Sequence, residues 1–448
     1  MANTYLTRTP SSTGNRQIFT YSAWVKRSQL SAYNTLFYAG ANSSTGGTIA
    51  FRFTNNDNLN VYIQDIGQFI TTNRLFRDTS AWYHIVLAID TTQATPDDRR
   101  KLYINGVQET SFSTSTEVNR NLNLSVNTSG QLQRIGTYAD SGGSLEGYFN
   151  GSMSHINFID GTAYDATAFG EYDANGVWKI KTDVSVTYGT NGFFILKDGN
   201  SVTDQSGNSN NFTVGGGTLT NTEDSPSNVF NVWNVLDVVA GTNAPLENGN
   251  TTYKKTATGS TTSGSRMGTI GVSSGKWYWE FKSNNIINYI TGIIRVNHAP
   301  SAGLQGWLAN DPGAYGLYDG GGQKTVAGTV TADGNVADWG STVAGMAIDL
   351  DNGKFYSHVN GVYMNSGDPT SGATGTGSLM DISLTNTYEP WVCNQDYNQA
   401  NDIDYNFGNG YFGTTAVASA GTNASGIGIF EFDVPTGFTA LSTKGLNL

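Results

Sequence analysis

The sequence predicts an all-β protein built as two antiparallel β-sandwich domains in tandem, on the basis of three observations. Only 13% of the 448 residues are charged and 55 are glycine. This composition disfavours helices, because a glycine inside a helix costs about 1 kcal/mol. Twelve Asn-Gly or Asp-Gly pairs are spread along the chain, and such pairs favour the tight turns of β-hairpins. A strand-turn-strand pattern also occurs once in each half.

The repeated pattern joins an apolar strand, a polar turn and a second strand that begins with lysine. In the first half Ala88–Asp90 precedes KLYINGV at Lys101–Val107. In the second half Ala347–Asp349 precedes KFYSHVNGV at Lys354–Val362. The pattern predicts the same meander of strands in both domains, each with an Asn-Gly turn.

Alternating residues indicate the individual strands. In Leu59–Gln64 apolar residues alternate with polar ones and with Tyr62, as in a strand that buries one face. Trp277–Lys282 alternates in the same way. His84–Asp90 is apolar on both faces, which predicts a central strand of a packed sandwich. A short helix is predicted near Tyr172–Lys179.

The chain is predicted to divide near its middle. The segment Asn221–Asn228 is polar and contains a proline, as is typical of a break between compact units. We therefore predict a first domain at residues 1–222, a linker at 223–234 and a second domain at 235–448. The apolar stretch Val229–Trp233 is expected to pack at an interface between the domains.

Charge and cysteine content argue against several classes of protein. The net charge is −12 and no basic run exists, so nucleic-acid binding is not expected, because it needs clustered Lys and Arg. The single cysteine, Cys393, cannot form an intrachain disulfide. The segment Met1–Asn15 lacks the apolar core of a signal peptide, and no stretch of 18 apolar residues occurs. We expect neither a secretory leader nor membrane insertion.

Several segments resemble known families of β-sandwich domains. The first half resembles a laminin-G-like member of the concanavalin A-like jelly rolls in FTYSAWVKRS (Phe19–Ser28), WYHIVLAID (Trp82–Asp90), GYFNGSMSHINFIDG (Gly147–Gly161) and DQSGNSNNF (Asp204–Phe212). The second half resembles a SPRY domain in GKWYWEFK (Gly275–Lys282), GMAIDLDNGKFYSHVNGV (Gly345–Val362), DYNFGNGYF (Asp404–Phe412) and VPTGFTAL (Val434–Leu441). The resemblance implies two jelly rolls of one lectin-like plan. It says little about function, since both families serve many roles.

A second resemblance concerns the biological setting. TYLTRTPSSTGNRQIFTYSAWVKRS, at Thr4–Ser28, resembles fibre and decoration proteins of marine bacteriophage virions. It implies a non-enzymatic virion surface protein, on the capsid or as a tail fibre, that is extracellular after lysis. The implied partners are other virion proteins and host-surface polysaccharide, and a homo-oligomer is expected, with a trimer favoured.

Catalysis is not expected from the sequence. Glycosidases among the concanavalin A-like jelly rolls carry paired carboxylates on one strand. The nearest match, Glu431–Thr436, lacks the second glutamate and contains a proline, and it is predicted to be the last strand instead. Four histidines occur singly, without the partners that a catalytic triad needs. Two alternatives remain open: a cementing protein without a ligand, and a polysaccharide-degrading enzyme.

Candidate binding residues are chosen by their chemistry. Sugar recognition uses aromatic rings against apolar sugar faces and uses carboxylates or amides for hydroxyl groups. Two loop regions rich in such residues are predicted to bind a ligand: Trp307, Tyr315, Tyr318 and Asp319 in the first, and Asp396, Tyr397, Asn398 and Asp402 in the second. The laminin-G resemblance also implies a Ca²⁺ site, for which the candidate residues are Asp97, Asp98 and Asp140.

Overall fold

The computed structural model describes residues 3–197, 199, 201–239, 245–255, 264–283, 289–298, 308–319, 322–394 and 401–448. The chain forms two compact units, Met1–Asn221 and Thr222–Leu448. Within the described ranges both units consist of β-sheets with short 3₁₀ helices, and the strand pairs are antiparallel except for one short parallel pair in the second unit. The predicted all-β class of tandem β-sandwiches is therefore confirmed. The same ranges contain no helix that is long and apolar enough to cross a membrane.

The first unit contains eighteen strands among its described residues. They are β1 Tyr5–Arg8, β2 Ile18–Arg27, β3 Asn34–Ala39, β4 Ile49–Phe53, β5 Asn58–Ile63, β6 Gly67–Leu75, β7 Tyr83–Asp90, β8 Arg100–Ile104, β9 Val107–Glu109, β10 Phe112–Ser115, β11 Gln133–Ile135, β12 Tyr138–Ala139, β13 Leu145–Glu146, β14 Gly151–Asp160, β15 Gly170–Tyr172, β16 Trp178–Ile180, β17 Phe193–Ile195 and β18 Thr213–Gly216. Two 3₁₀ helices span Pro96–Arg99 and Ala166–Ala168.

Two large sheets of the first unit face each other across one core. One has the strand order β10-β6-β5-β4-β3-β11-β1-β18, and the other has the order β17-β14-β2-β7-β8-β9. The ring of Phe37 on β3 lies 5.3 Å from Tyr21 on β2 and 5.3 Å from Phe158 on β14. These three rings are at most 1% exposed, so aromatic packing joins the two sheets.

The second unit contains another eighteen strands among its described residues. They are β19 Trp233–Val239, β20 Leu246–Glu247, β21 Thr252–Lys255, β22 Ser265–Gly268, β23 Lys276–Ser283, β24 Tyr289–Arg295, β25 Tyr315–Tyr318, β26 Gln323–Val326, β27 Thr329–Ala332, β28 Val343–Asp349, β29 Lys354–Val359, β30 Val362–Tyr363, β31 Met380–Asp381, β32 Tyr388–Asn394, β33 Asn401–Asn406, β34 Tyr411–Phe412, β35 Thr415–Ala416 and β36 Thr439–Ala440. Four 3₁₀ helices span Asn248–Asn250, Met364–Ser366, Pro369–Thr374 and Gly445–Asn447.

The second unit is also a two-sheet sandwich. One sheet has the order β19-β22-β32-β24-β25-β26-β27, and the other has the order β20-β21-β33-β23-β28-β29-β30, with β31 beside β29 and β36 beside β23. Tyr405 on β33 packs edge-on against Trp233 on β19, with ring centroids 4.6 Å apart. Its hydroxyl donates to Thr291 Oγ1 on β24 at 2.9 Å. One tyrosine thus contributes both packing and a hydrogen bond between the sheets.

The repeated sequence pattern forms the same meander in each unit. Strands β7, β8 and β9 are consecutive neighbours, as are β28, β29 and β30. Asn105 and Gly106 have φ angles of 49° and 82°, and Asn360 and Gly361 have φ angles of 49° and 79°. Positive φ at both central residues is what a type I′ hairpin turn requires. The predicted Asn-Gly turn of each meander is therefore confirmed.

The helix predicted near Tyr172–Lys179 is wrong, because this segment is the β15–β16 hairpin. Gly176 has a φ of 78°, outside the helical region. The Asp173 carboxylate accepts hydrogen bonds from the backbone N–H groups of Asn175 and Val177 at 2.9 and 2.8 Å. Asp173 therefore stabilises a turn, which competes with a helix for the same backbone groups.

Residues predicted as the end of a linker lie inside the second unit. Phe230 is 1% exposed and packs with Tyr278 and Phe438. The backbone N–H of Asn231 donates to the carbonyl of Leu441 at 2.9 Å. Because Phe230 and Trp233 bury large apolar areas in this unit's own clusters, the stretch 229–233 contributes to the fold of the unit instead of remaining a free connection.

Candidate functional site

The outer face of the larger sheet of the first unit carries a group of aromatic residues around one arginine. Along β4, Phe51 and Phe53 point into the core, so the alternating residue Arg52 points outward. On the neighbouring β5, Val61 and Ile63 enter the core and Tyr62 points outward. Strand alternation therefore places Arg52 and Tyr62 on the same solvent-facing surface.

Three tyrosine rings surround the Arg52 guanidinium. Its Cζ atom lies 4.6 Å from the ring centroid of Tyr33, 4.8 Å from that of Tyr138 and 5.6 Å from that of Tyr62. All three distances are within the range of cation–π attraction. Tyr33 is 39% exposed, and Tyr62 and Tyr138 are half-buried. We call these four residues the Arg52 cluster.

Polar groups border the Arg52 cluster on two sides. The Tyr138 hydroxyl donates to Glu146 Oε2 at 2.9 Å, and the Tyr62 hydroxyl donates to Gln64 Oε1 at 2.5 Å. Burial, reinforced by the Glu146 carboxylate, raises the pKa of Tyr138 to about 12. Tyr138 is therefore a neutral hydrogen-bond donor at physiological pH.

A glycine allows the Tyr138 ring to lie flat beside the β12–β13 hairpin. Gly147 has a φ of 58°, and a Cβ atom there would lie 2.6 Å from Tyr138 Cε1. Any side chain at this position would displace the ring from Arg52. The position of Tyr138 thus depends on Gly147.

Arg52 forms no ion pair with any carboxylate in the described part of the chain, and its Nε atom is buried without a hydrogen-bond partner there. By contrast, the guanidinium of the fully buried Arg27 donates to Asp57 at 3.0 Å and to the Phe76 carbonyl at 2.7 Å. An arginine held only by aromatic rings keeps its terminal Nη donors for an external acceptor. The surface therefore combines aromatic platforms, a cation and a carboxylate, as recognition of a polyhydroxylated ligand requires.

The binding residues predicted in the second unit are placed differently. Tyr315 and Tyr318 belong to strand β25 and are 3% and 4% exposed, so the predicted loop is a strand there and neither ring offers a free face. Asp319 is 1% exposed and accepts from the Trp339 backbone N–H at 3.4 Å. Asp402 lies on β33, 3.7 Å from Lys254 Nζ. Trp307, Asp396, Tyr397 and Asn398 lie outside the described residues.

The three aspartates considered for Ca²⁺ do not form a cluster of carboxylates in the described structure. Asp97 pairs with Arg100 at 3.2 Å, and Asp98 pairs with Lys101 at 3.6 Å. Asp140 Oδ1 accepts from backbone N–H groups of its own turn, at 2.9 and 2.7 Å. Each carboxylate has a local structural role, and Ca²⁺ binding by the protein stays a prediction.

A buried Ser–His pair has a geometry unsuited to nucleophilic catalysis. The Trp178 Nε1–H donates to His84 Nδ1 at 2.9 Å, so neutral His84 carries its proton on Nε2. That Nε2–H donates to Ser22 Oγ, also at 2.9 Å. Ser22 therefore meets a donor instead of a general base. Burial lowers the pKa of His84 to about 3, which keeps the ring neutral.

The segment Glu431–Asp433, predicted as the last strand, does not form one. The backbone N–H groups of Glu431 and Phe432 each donate to the Glu280 carboxylate at 2.8 Å. Asp433 accepts from the Thr422 backbone N–H at 2.7 Å. Because a buried carboxylate takes the N–H groups that a sheet ladder would use, this segment bends, and its acidic residues do not form a strand-borne pair.

Sequence reasoning missed the Arg52 cluster. One signal was present, since an aromatic residue on the solvent-facing side of an alternating strand, such as Tyr62, marks an exposed ring. Tyr33, Arg52 and Tyr138 come from separate parts of the chain. Only the pairing of β3, β4 and β5, with the hairpin of β12 beside them, brings them together.

Comparisons with known proteins agree with this fold. Residues 2–167 match a laminin-G-type family model described as the concanavalin A-like lectin/glucanases superfamily. The match and the sheet topology together support a jelly-roll, lectin-like fold for the first unit. A search of curated proteins gives no match.

Several solved structures are also similar to the chain. The TRIM65 PSpry domain is 14% identical over 39% of this chain and 91% of its own, with a TM-score of 0.30. The SPRY domain of human HERC1 is 10% identical over 39% of this chain and 96% of its own, with a TM-score of 0.29. A putative carbohydrate binding protein from Bacteroides ovatus is 20% identical over 49% of this chain and 57% of its own, with a TM-score of 0.32.

Proposed function

We propose that the chain is a non-enzymatic, lectin-like protein whose first unit binds a glycan on the Arg52 cluster. One observation carries this proposal: Arg52 is held by three tyrosine rings and has no carboxylate partner among the described residues. The rings would contact the apolar faces of sugars, while Arg52, Glu146 and Gln64 would bond hydroxyl groups.

The charge of the cluster favours an acidic glycan. A guanidinium binds a carboxylate in a two-bond geometry that neutral hydroxyls do not offer. The carboxylate of a uronic acid would therefore occupy the free side of Arg52. The protein as a whole carries a net charge of −12, so this attraction has to be local and short in range.

Isothermal titration with acidic and neutral oligosaccharides tests the binding. Arg52→Gln and Tyr62→Leu should each weaken binding by at least about tenfold, as residues at the centre of an interface do. Arg120→Gln and Tyr172→Leu are matched controls, because both side chains are exposed and lie outside the cluster. Thermal unfolding of every variant verifies the fold. Equal affinities of the cluster and control variants would reject this site.

The setting proposed for this activity is a bacteriophage virion. Support comes from the resemblance of Thr4–Ser28 to virion fibre and decoration proteins. In this proposal the protein is attached to other virion proteins as a homo-oligomer, a trimer being favoured, and adheres to host-surface polysaccharide. Imaging of purified particles with and without the protein tests this setting. Particles that never carry it would reject the virion role and leave the glycan-binding proposal standing.

A further inference from the structure

We infer that the second unit holds a divalent first-row metal ion, with Zn²⁺ as its best representative, between Asp237, His298 and Glu389. One donor atom from each residue can be chosen so that all lie within 4.8 Å of one another. It is the one such group of three potential metal ligands in the described part of the chain. This inference concerns a different unit from the proposed glycan site and does not depend on that site.

Three separate segments bring these residues together. Glu389 is on β32, opposite Ile294 of the neighbouring β24. His298 follows β24 in a turn closed by its own backbone N–H to the Arg295 carbonyl at 3.0 Å. Asp237 lies on β19, where pairing with β22 is irregular between Trp233 and Val238. An irregular strand can point a side chain in a direction that a regular ladder does not allow, as bulges near functional sites do.

The histidine ring lies between the two carboxylates. His298 Nδ1 is 3.6 Å from Glu389 Oε1, and His298 Nε2 is 3.7 Å from Asp237 Oδ1. Both distances are too long for a hydrogen bond. Only one ring nitrogen can bond a given ion, so one of these two distances can be a separation between ligand atoms. Either distance is close to the about 3.3 Å expected between two atoms bonded at 2.0–2.1 Å to one tetrahedral zinc ion. One ring nitrogen and one oxygen of each carboxylate lie within 4.8 Å of one another, which is near enough for a common ion.

Buried polar atoms that make no hydrogen bond give the second reason for a ligand. The side chains of His298 and Glu389 are 7% and 9% exposed. Within the described residues, His298 Nδ1 and Glu389 Oε1 are buried and accept or donate no hydrogen bond. Leaving such groups unsatisfied costs about 1–3 kcal/mol each. A metal ion that bonds these atoms would remove that cost.

Neither nearby arginine provides the hydrogen bond that Glu389 Oε1 lacks. Arg295, beside Glu389 in the sheet, is engaged by Asp311 at 2.8 Å. Arg266 interacts electrostatically with Asp237, and it leaves Glu389 Oε1 without a partner. An imidazole with two carboxylates is a mixed nitrogen and oxygen set, which suits Zn²⁺ and its first-row neighbours. Ca²⁺ prefers oxygen ligands alone, so it is not the expected ion here.

Titration of the chelator-treated full chain with Zn²⁺ tests the inference, with Ca²⁺ as the comparison ion. We expect one Zn²⁺ per chain and no Ca²⁺ bound by this group. Asp237→Asn, His298→Gln and Glu389→Gln should each weaken Zn²⁺ binding by at least about tenfold. His155→Asn is the control, because His155 lies in the first unit, and asparagine tolerates its φ of 49°.

Co²⁺ provides a second readout that does not depend on stability. Visible absorption of bound Co²⁺ should appear in the unsubstituted chain and in His155→Asn, and should disappear in His298→Gln. Thermal unfolding without metal verifies that each variant folds. Stoichiometric Zn²⁺ binding that survives all three ligand substitutions would overturn the inference, as would the lack of stoichiometric binding by the unsubstituted chain.

Discussion

Trp178 and His84 are joined by an indole-to-imidazole hydrogen bond of 2.9 Å, which reaches from the β15–β16 hairpin to the central strand β7. Trp24 stacks on the same imidazole, with centroids 4.8 Å apart. The ring is fully buried and neutral, so it acts as a polar part of the core. The hydrogen bond from Trp178 fixes the tautomer of His84 and joins the hairpin to the core of the first unit.

The first prediction concerns pH and His84. Burial lowers the pKa of His84 to about 3, below its ordinary value of 6.5. A lowered histidine pKa means that stability is present above 6.5 and is lost as the pH falls toward 3. At pH 4.5 the loss from this residue is about 3 kcal/mol. Between pH 7 and pH 4.5, the unfolding free energy measured with denaturant should change less for His84→Gln than for the unsubstituted chain. Equal changes in the two proteins would contradict the lowered pKa of His84.

The second prediction concerns the Asn-Gly turn beneath Trp178. A Cβ atom on Gly106 would lie 2.5 Å from Trp178 Cε3, and the φ of Gly106 is 82°. Gly176 has a similar φ of 78°, but its Cβ would meet no atom within 4 Å. Gly106→Ala should cost about 2–4 kcal/mol and Gly176→Ala about 1 kcal/mol. Comparing their unfolding free energies separates steric overlap from backbone strain, and equal costs would disprove the overlap.

The third prediction concerns the buried ion pair of Arg27 and Asp57. The side chains are 0% and 2% exposed and lie 3.0 Å apart. Asp57→Asn keeps the shape and tolerates the φ of 64°, but it leaves a buried guanidinium without its counter-charge. We expect a loss of about 3–5 kcal/mol.

The control for this pair is Asp98→Asn. Asp98 and Lys101 are 3.6 Å apart, with side chains 52% and 41% exposed. Such pairs contribute about 0–1 kcal/mol. Urea unfolding midpoints measure both variants, and a loss in Asp57→Asn as small as in the control would show that Arg27 is satisfied without Asp57.

The fourth prediction concerns Glu280 in the second unit. Burial raises the pKa of Glu280 to about 7, and its carboxylate accepts from the Tyr278 hydroxyl at 2.9 Å as well as from two backbone N–H groups. A raised pKa means that its contribution falls as the pH rises through 7. The stability cost of Glu280→Gln should therefore be about 1 kcal/mol smaller at pH 8 than at pH 6.

The measurement compares Glu280→Gln with the unsubstituted chain at both pH values. Using the difference between them removes the opposing titration of nearby His358, whose pKa burial lowers to about 4. A cost that stays the same between pH 6 and pH 8 would mean that Glu280 is already ionised in the folded state well below pH 7.

The candidate site was less predictable than the strands. Tyr315 and Tyr318 met the chemical criteria for sugar binding, yet they fill the core because β25 lies inside a seven-stranded sheet. Aromatic residues occur both in sugar-binding surfaces and in protein cores, and the sequence does not show which face of a strand is covered by a second sheet. Arg52 gave no signal by itself, since its three tyrosine partners come from separate segments of the chain.

The sequence by itself determined the all-β class, the two sandwiches and the type I′ turns at Asn105 and Asn360. These features follow from local causes, namely residue alternation along strands and the positive φ that Asn-Gly pairs tolerate. Tertiary structure alone decided that Trp178 would cover Gly106 and that Arg52 would meet three tyrosines. Contacts of this kind depend on strand order and register, which arise from packing between segments distant in the chain.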